Sequence, residues 1–341
     1  MDRIVLKRES FRTKFLNCYD KYLNISNNYN IAIGIYHAGK YYEFGNGTND
    51  SYKYDIGSIS KTMTAHLTLS LVSDGLIDLN DSVSKYIKLK NGRYPTIYQL
   101  LTHTAGYNHL TPYEITVPNL LRSGYTRRNI YFGYKSNDVV KLLERRNKHK
   151  KNNSYGYSDF AYAVIAIILE NVTGKMFFEL LEEFIIDKLN LKNTTVLCEE
   201  NNRFPLAVYK NKTFNYWRWN KENPYLASGG IVSNLNDMLK YISLEIESKE
   251  PYIFDSHKVC LNSFSKKSNI GMCVGWHTYK KSNQLWHVGG VGTFRSSIIF
   301  NKVKKTGVVV LGNAKGIKKA NVHYLCKMIY SELKIKKIKL S

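Results

Sequence analysis

Strand-like segments stand at the two ends of this chain, and the long middle is helical. Near the N-terminus, Asn30–Tyr36, the turn His37–Lys40 and Tyr41–Phe44 read as a β-hairpin. Runs of the same character lie around Met272–Tyr279, Leu285–Val288, Phe294–Phe300 and Gly307–Leu311. Between them the pattern predicts helices from Ser58, near Thr96–Thr102, near Asn137–Arg145, over Phe160–Asn171 and over Phe177–Lys188. Further helices are expected over 10–24, Asn236–Ile246 and Ala320–Leu333. In the simplest architecture the N-terminal hairpin joins the C-terminal strands. The expected fold is thus α/β (α+β), an antiparallel β-sheet flanked by helices with an all-helical domain inserted. Residues 1–57 plus 227–341 would form the sheet domain, and 58–226 the mainly helical one. The cleft between two domains is the usual place for a ligand site.

The bulk composition permits this. A chain of 341 residues with 43% apolar and 13% aromatic side chains can fill a sizeable core. No run approaches the roughly 18 apolar residues of a membrane span. Met1–Glu9 has no apolar signal region, so the chain is expected to be cytoplasmic, or extracytoplasmic if a leader is absent from it. Five scattered cysteines with no C-x-x-C pair argue against zinc and dithiol chemistry, and no metal or cofactor is expected. The net charge of +23 has two readings. One is electrostatic association with polyanions. The other is heavy use of Lys, Asn, Ile and Tyr, as AT-rich coding would produce. No helix-turn-helix, zinc-finger or RNA-binding signature accompanies the charge, so no specific nucleic acid is expected. The oligomeric state is not readable.

Ser58 and Lys61 stand three apart where a helix begins, which puts both side chains on one face. A neighbouring base can activate a serine hydroxyl. The unpaired N–H groups of a helix start suit a developing oxyanion. The same spacing occurs four times, at Ser58/Lys61, Ser82/Lys85, Ser263/Lys266 and Ser331/Lys334. Ser82 lies in a polar stretch and reads as a turn or N-cap residue. Ser263 reads as loop, and Ser331 lies on a basic C-terminal helix. Two further segments complete the pattern: Tyr157-Ser158-Asp159 just before an apolar helix, and His287-Val288-Gly289-Gly290 beside a strand.

With these residues the chain resembles the serine β-lactamase and penicillin-binding-protein superfamily. It looks most like the branch of class C β-lactamases, D-alanyl-D-alanine carboxypeptidases, D-aminopeptidases and related esterases. The likeness also rests on Gly75–Tyr86, on Pro95–Gly106 with its Leu-Leu-Thr-His-Thr-Ala-Gly run, on Ala227–Ser233 and on Val308–Asn313. The resemblance implies a serine hydrolase that acylates Ser58 on a small-molecule or peptide substrate. Lys61 would hold the proton network. Tyr157, with Lys61 favouring its phenolate, would be general base and then acid. The backbone N–H groups of Ser58 and Gly290 would form the oxyanion hole, with Gly289 giving close approach.

Two departures narrow the substrate. His287 stands where class C β-lactamases have a lysine, and it would be cationic only below about pH 6.5. Asp159 stands in place of an asparagine. It would keep Lys61 protonated, and it is a candidate for binding a substrate amine. Tyr107 and the 108–135 and 203–226 loops would frame the pocket. The implied activity is D-alanyl carboxypeptidase, D-aminopeptidase or esterase. The alternatives are a genuine class C-like β-lactamase, a non-catalytic receptor or scaffold of the same fold, and a basic binding module.

Overall fold

The computed structural model describes residues 1–25, 29–107, 129–146, 155–196, 217, 219–261, 269–279, 282–317 and 320–334. Strand β2, Ile31–His37, shows why its central sheet has two covered faces. Side chains alternate between faces along a strand. Ile31, Ile33 and Ile35 enter one buried cluster, and Ala32 and Tyr36 the other. Strand β12, Thr306–Gly312, repeats the division, with Val308 and Val310 on the first side and Val309 and Leu311 on the second. The helices Thr13–Leu23 and Val322–Lys334 cover the first face. The helix Leu235–Glu247 and the helical block cover the second.

The N-terminal hairpin joins the C-terminal strands as expected. β2 pairs antiparallel with β12, from Ile31 opposite Gly312 to His37 opposite Thr306. The sheet has nine strands in the order β1-β3-β2-β12-β11-β10-β9-β8-β7. Besides β2 and β12 these are β1 (Ile4–Val5), β3 (Lys40–Phe44), β7 (Val259–Leu261), β8 (Ile270–Cys273), β9 (His277–Tyr279), β10 (Gln284–Val291) and β11 (Phe294–Asn301).

Three details differ from expectation. β1 pairs parallel with β3, so the sheet is antiparallel except at that edge. The run Met272–Tyr279 is two strands, because a tight turn at Gly275 (φ +78°) folds β8 onto β9 with Met272 opposite His277. A second sheet pairs β4 (Tyr54–Asp55), β6 (Ile231–Ser233) and β5 (Thr195–Val196) in the order β4-β6-β5. It ties the segment before Ser58 to the segment after Ala227.

In the helical block, Asp159–Thr173 is buried from Asp159 to Leu169 and ends at Gly174 in the left-handed conformation (φ +71°). An apolar helix of this kind must be enclosed by its neighbours. The segment Phe177–Glu183 is α-helical and passes into one π-helical turn, Phe184–Lys188. Among the described residues no helix is long and apolar enough to cross a membrane.

Candidate active site

The site starts from a turn that only glycine can form. Asp55 ends β4 and accepts the Gly57 N–H at 2.9 Å, an Asx-type turn. Gly57 has φ +51°, and a Cβ there would lie 2.5 Å from the backbone nitrogen of Gly290. The absent side chain therefore lets the 3-10 turn Gly57–Ile59 lie directly on β10. That turn carries Ser58 and runs into the helix Ser60–Ser73. Ser60 Oγ accepts the Ile231 N–H at 3.2 Å, and Thr64 Oγ1 donates to Ala227 O at 2.9 Å, so the helix start is fixed to the 227–231 segment. Burial pushes the Asp55 carboxyl up to about 8, against the Gly57 N–H and the positive charge of Arg295.

Lys61 is fully buried. Its Nζ lies 2.6 Å from Asp159 Oδ1, 2.7 Å from Ser228 O and 3.1 Å from Ser58 Oγ. An ammonium has three N–H donors, and three acceptors surround it. Asp159 as carboxylate and the Ser228 carbonyl can only accept. Ser58 alone has a proton to return. In the neutral amine two N–H groups keep Asp159 and Ser228, and the lone pair faces the Ser58 hydroxyl. The same three contacts thus serve both ends of a proton transfer from Ser58. Burial draws the Lys61 pKa below that of an ordinary lysine, with Asp159 opposing. Asp159 therefore resists the loss of the Lys61 proton, as the sequence suggested, but burial is the larger effect.

Asp159 has both oxygens engaged by the protein. Oδ2 accepts the Tyr131 hydroxyl at 2.7 Å, and Tyr131 is stacked on Tyr225 at 4.2 Å between ring centroids. The carboxylate faces Lys61 and Tyr131, which places it to hold the lysine rather than to stand open to a substrate amine. Asp159→Asn is expected to move the acid limb of acylation to lower pH. The sign follows from the pair: removing the negative charge removes what holds the Lys61 proton, so the free amine persists to lower pH. A pH–rate profile of Ser58 acylation that stays in place, or moves upward, would refute this.

Tyr157 precedes the same helix, whose N-cap Ser158 accepts the Ala161 N–H at 3.1 Å. Its side chain hydrogen-bonds to Ser58. Lys61 Nζ sits over the ring, 4.9 Å from its centroid. The expectation that Lys61 makes Tyr157 a phenolate is not met. Burial first and the Asp159 charge second push its pKa well above the ordinary tyrosine value, with the Ser58 contact opposing. That direction favours the neutral phenol over the phenolate.

His287 is buried, and its Nδ1–H donates to Val288 O at 2.9 Å. Burial, followed by His277 and Lys61, pushes its pKa well below the ordinary histidine value. The imidazole therefore stays neutral at mildly acid pH, which corrects the expectation of a cation below about pH 6.5.

Ser58, Tyr157, His287, Gly289 and Gly290 line a cavity of about 620 Å³, with Arg295 and Lys315 as the Arg and Lys among its described lining residues. Tyr107 is not on this wall. It is buried against Phe160 at 5.0 Å between ring centroids. Of the loops expected to frame the pocket, 108–128, 203–216 and 218 lie outside the described residues. Ser263 and Lys266 do too. Ser82 caps Ser84, as its polar setting suggested, and Lys85 pairs with Asp81 at 2.6 Å. Tyr131 and Arg295 carried no recognisable sequence signal, because each reaches the site from a segment without a motif, and Ser228, although inside the Ala227–Ser233 run, acts through its backbone carbonyl, which no side-chain pattern marks. Among the described residues no cluster of His, Cys, Asp or Glu is arranged to hold a metal.

A sheet with a helical block beside it, and a buried lysine in contact with a serine on the cavity wall, define a serine β-lactamase or penicillin-binding-protein type of molecule with the β-lactamase/transpeptidase fold. The Beta-lactamase family model matches residues 27–324, and the chain belongs to that family, whose members are serine hydrolases. Protein flp of Staphylococcus aureus (strain MW2) is 26% identical over 289 residues, which cover 76% of this chain and 53% of the relative. The chain thus spans about half the length of that relative. A β-lactamase/D-alanine carboxypeptidase from Yersinia pestis, complexed with citrate, superposes with a TM-score of 0.75 at 18% identity, covering 98% of this chain and 100% of the other. A D-stereospecific amidohydrolase from Streptomyces sp. does so with a TM-score of 0.66 at 18% identity, covering 93% and 97%.

Proposed function

We propose that this protein is a serine hydrolase that forms an acyl-enzyme on Ser58 and cleaves peptide, amide or ester bonds. The observation that carries this reading is the Ser58–Lys61 contact of 3.1 Å, with Lys61 buried and ringed by acceptors. Ser58 Oγ attacks the substrate carbonyl and gives its proton to the neutral Lys61 amine. The backbone N–H groups of Ser58 and Gly290 hold the oxyanion. Tyr157, a neutral phenol, gives its proton to the leaving group and is refilled from Lys61. Water then attacks the acyl-enzyme by the reverse proton path. Arg295 and Lys315, rather than neutral His287, supply the positive charge in the cavity and favour substrates bearing an acid group. The carboxypeptidase, aminopeptidase and esterase readings are all compatible with this chemistry.

Intact mass after incubation with a penicillin and with a fluorophosphonate tests the proposal. Both reagents are expected to leave one adduct on the wild type and none on Ser58→Ala. A long-lived penicilloyl adduct supports the peptidase reading, and rapid release of hydrolysed penicillin supports a β-lactamase. Absence of any adduct overturns the hydrolase reading in favour of a scaffold.

A further inference from the structure

His103 lies outside the hydrogen-bonded group around Lys61, yet it holds the chain on both sides of Tyr157. It follows the short helix Ile97–Leu101 with φ +56°, a left-handed conformation uncommon for a residue with a side chain. Its carbonyl accepts the Gly156 N–H at 2.8 Å. Its Nδ1 accepts the Ser158 N–H at 3.2 Å. Its ring packs on the Tyr157 ring at 4.4 Å between centroids, and on Tyr162 at 5.2 Å. Tyr162 in turn donates to Leu101 O at 3.1 Å, tying its own helix back to the start of this segment. His103 is buried. Because a backbone N–H can only donate, Nδ1 is unprotonated and the ring proton sits on Nε2.

We infer that His103 is a positioning residue that aims the Tyr157 hydroxyl at Ser58 and the leaving group; this rests on the acyl-enzyme reading above. One residue fixes the amide before Tyr157, the amide after it and the face of its ring. A left-handed backbone at a buried position with both acceptors used is an outlier of the kind found where geometry serves a site. A misplacement of about 1 Å can cost roughly 100-fold in rate, so such a clamp has kinetic weight.

The two reagents separate positioning of Tyr157 from general damage. Opening a penicillin requires protonation of a leaving nitrogen, the step given to Tyr157. A fluorophosphonate expels fluoride, which needs no such acid. His103→Gly accepts φ +56° without strain but loses Nδ1 and the ring. His103→Asn tolerates the same backbone and keeps a side-chain acceptor. His103→Gly is expected to slow penicillin acylation about tenfold or more while fluorophosphonate labelling stays within about threefold, and Asn is expected to recover most of the loss. In a Tyr157→Phe background the Gly change should add almost nothing, because the two residues act as one unit. Equal loss with both reagents, no loss with either, or additive effects with Tyr157→Phe would overturn the positioning role alone. A wild type that takes neither reagent would overturn the hydrolase reading and this inference with it.

Discussion

Lys61→Met is expected to lower the rate of Ser58 acylation by about 10³-fold, the middle of the range for loss of a positioned base. Methionine fills much of the same volume but offers no lone pair to the Ser58 proton. The substitution also strips Asp159 Oδ1 and Ser228 O of the donor they share. Breaking one side of a buried ion pair costs about 3–5 kcal/mol, so a fall in Tm is expected beside the kinetic loss. The double variant Lys61→Met/Asp159→Asn separates the two effects. It removes the stranded charge and should regain most of the Tm without regaining acylation. Fluorophosphonate labelling followed by mass, with Tm measured in parallel, gives both readings. A folded Lys61→Met protein that labels within about tenfold of wild type would remove Lys61 from the base role.

The part of the site read from sequence was the part set by local geometry. Ser58 and Lys61 face each other because they lie three apart at a helix start, and that holds wherever the helix lies in the fold. His287-Val288-Gly289-Gly290 was legible because two glycines at a strand permit close backbone approach. The protonation states were not legible. Those of Lys61, Tyr157 and His287 depend on burial by segments more than a hundred residues away in some cases: burial pushes the Tyr157 pKa up, against the expected phenolate, and the His287 pKa down, below the range in which a cation was expected. Tyr131 escaped notice for a related reason. It is one of 27 tyrosines, and only the fold brings it to Asp159.

The fold shows the same division. The hairpin at one end and the strands at the other carry nearly continuous apolar runs, as strands covered on both faces require, and their union in one sheet is the simplest way to bury them. The strands Ile4–Val5, Tyr54–Asp55 and Thr195–Val196 have two residues each, too few to show a period. The turn at Gly275 was hidden because the apolar run continues through it: Val274 and Trp276 are buried on either side.

Gly289→Ala is expected to destabilise the protein and to disable the site together, whereas Gly290→Ala is expected to do neither to the same degree. The two glycines are neighbours on β10 and face opposite ways. A Cβ on Gly289 would lie 1.9 Å from Ile56 O and 2.3 Å from Ser296 Oγ. Ile56 O is backbone at the foot of the Ser58 turn, and Ser296 Oγ donates to it at 2.7 Å, so neither atom can move without shifting that turn. On Gly290 the nearest atoms belong to the Arg295 side chain, at 3.2 Å and 3.3 Å, and a long side chain can give by a few tenths of an ångström. Overpacking of a rigid contact costs about 1–3 kcal/mol. A displacement of Ser58 from the Gly290 N–H by about 1 Å would slow acylation roughly 100-fold. Gly290→Ala keeps its N–H and should acylate within about tenfold of wild type. Thermal unfolding and fluorophosphonate labelling of the two variants check both halves. A Gly289→Ala protein with wild-type Tm and labelling rate would show that the Ser58 turn is not seated on β10 by this contact.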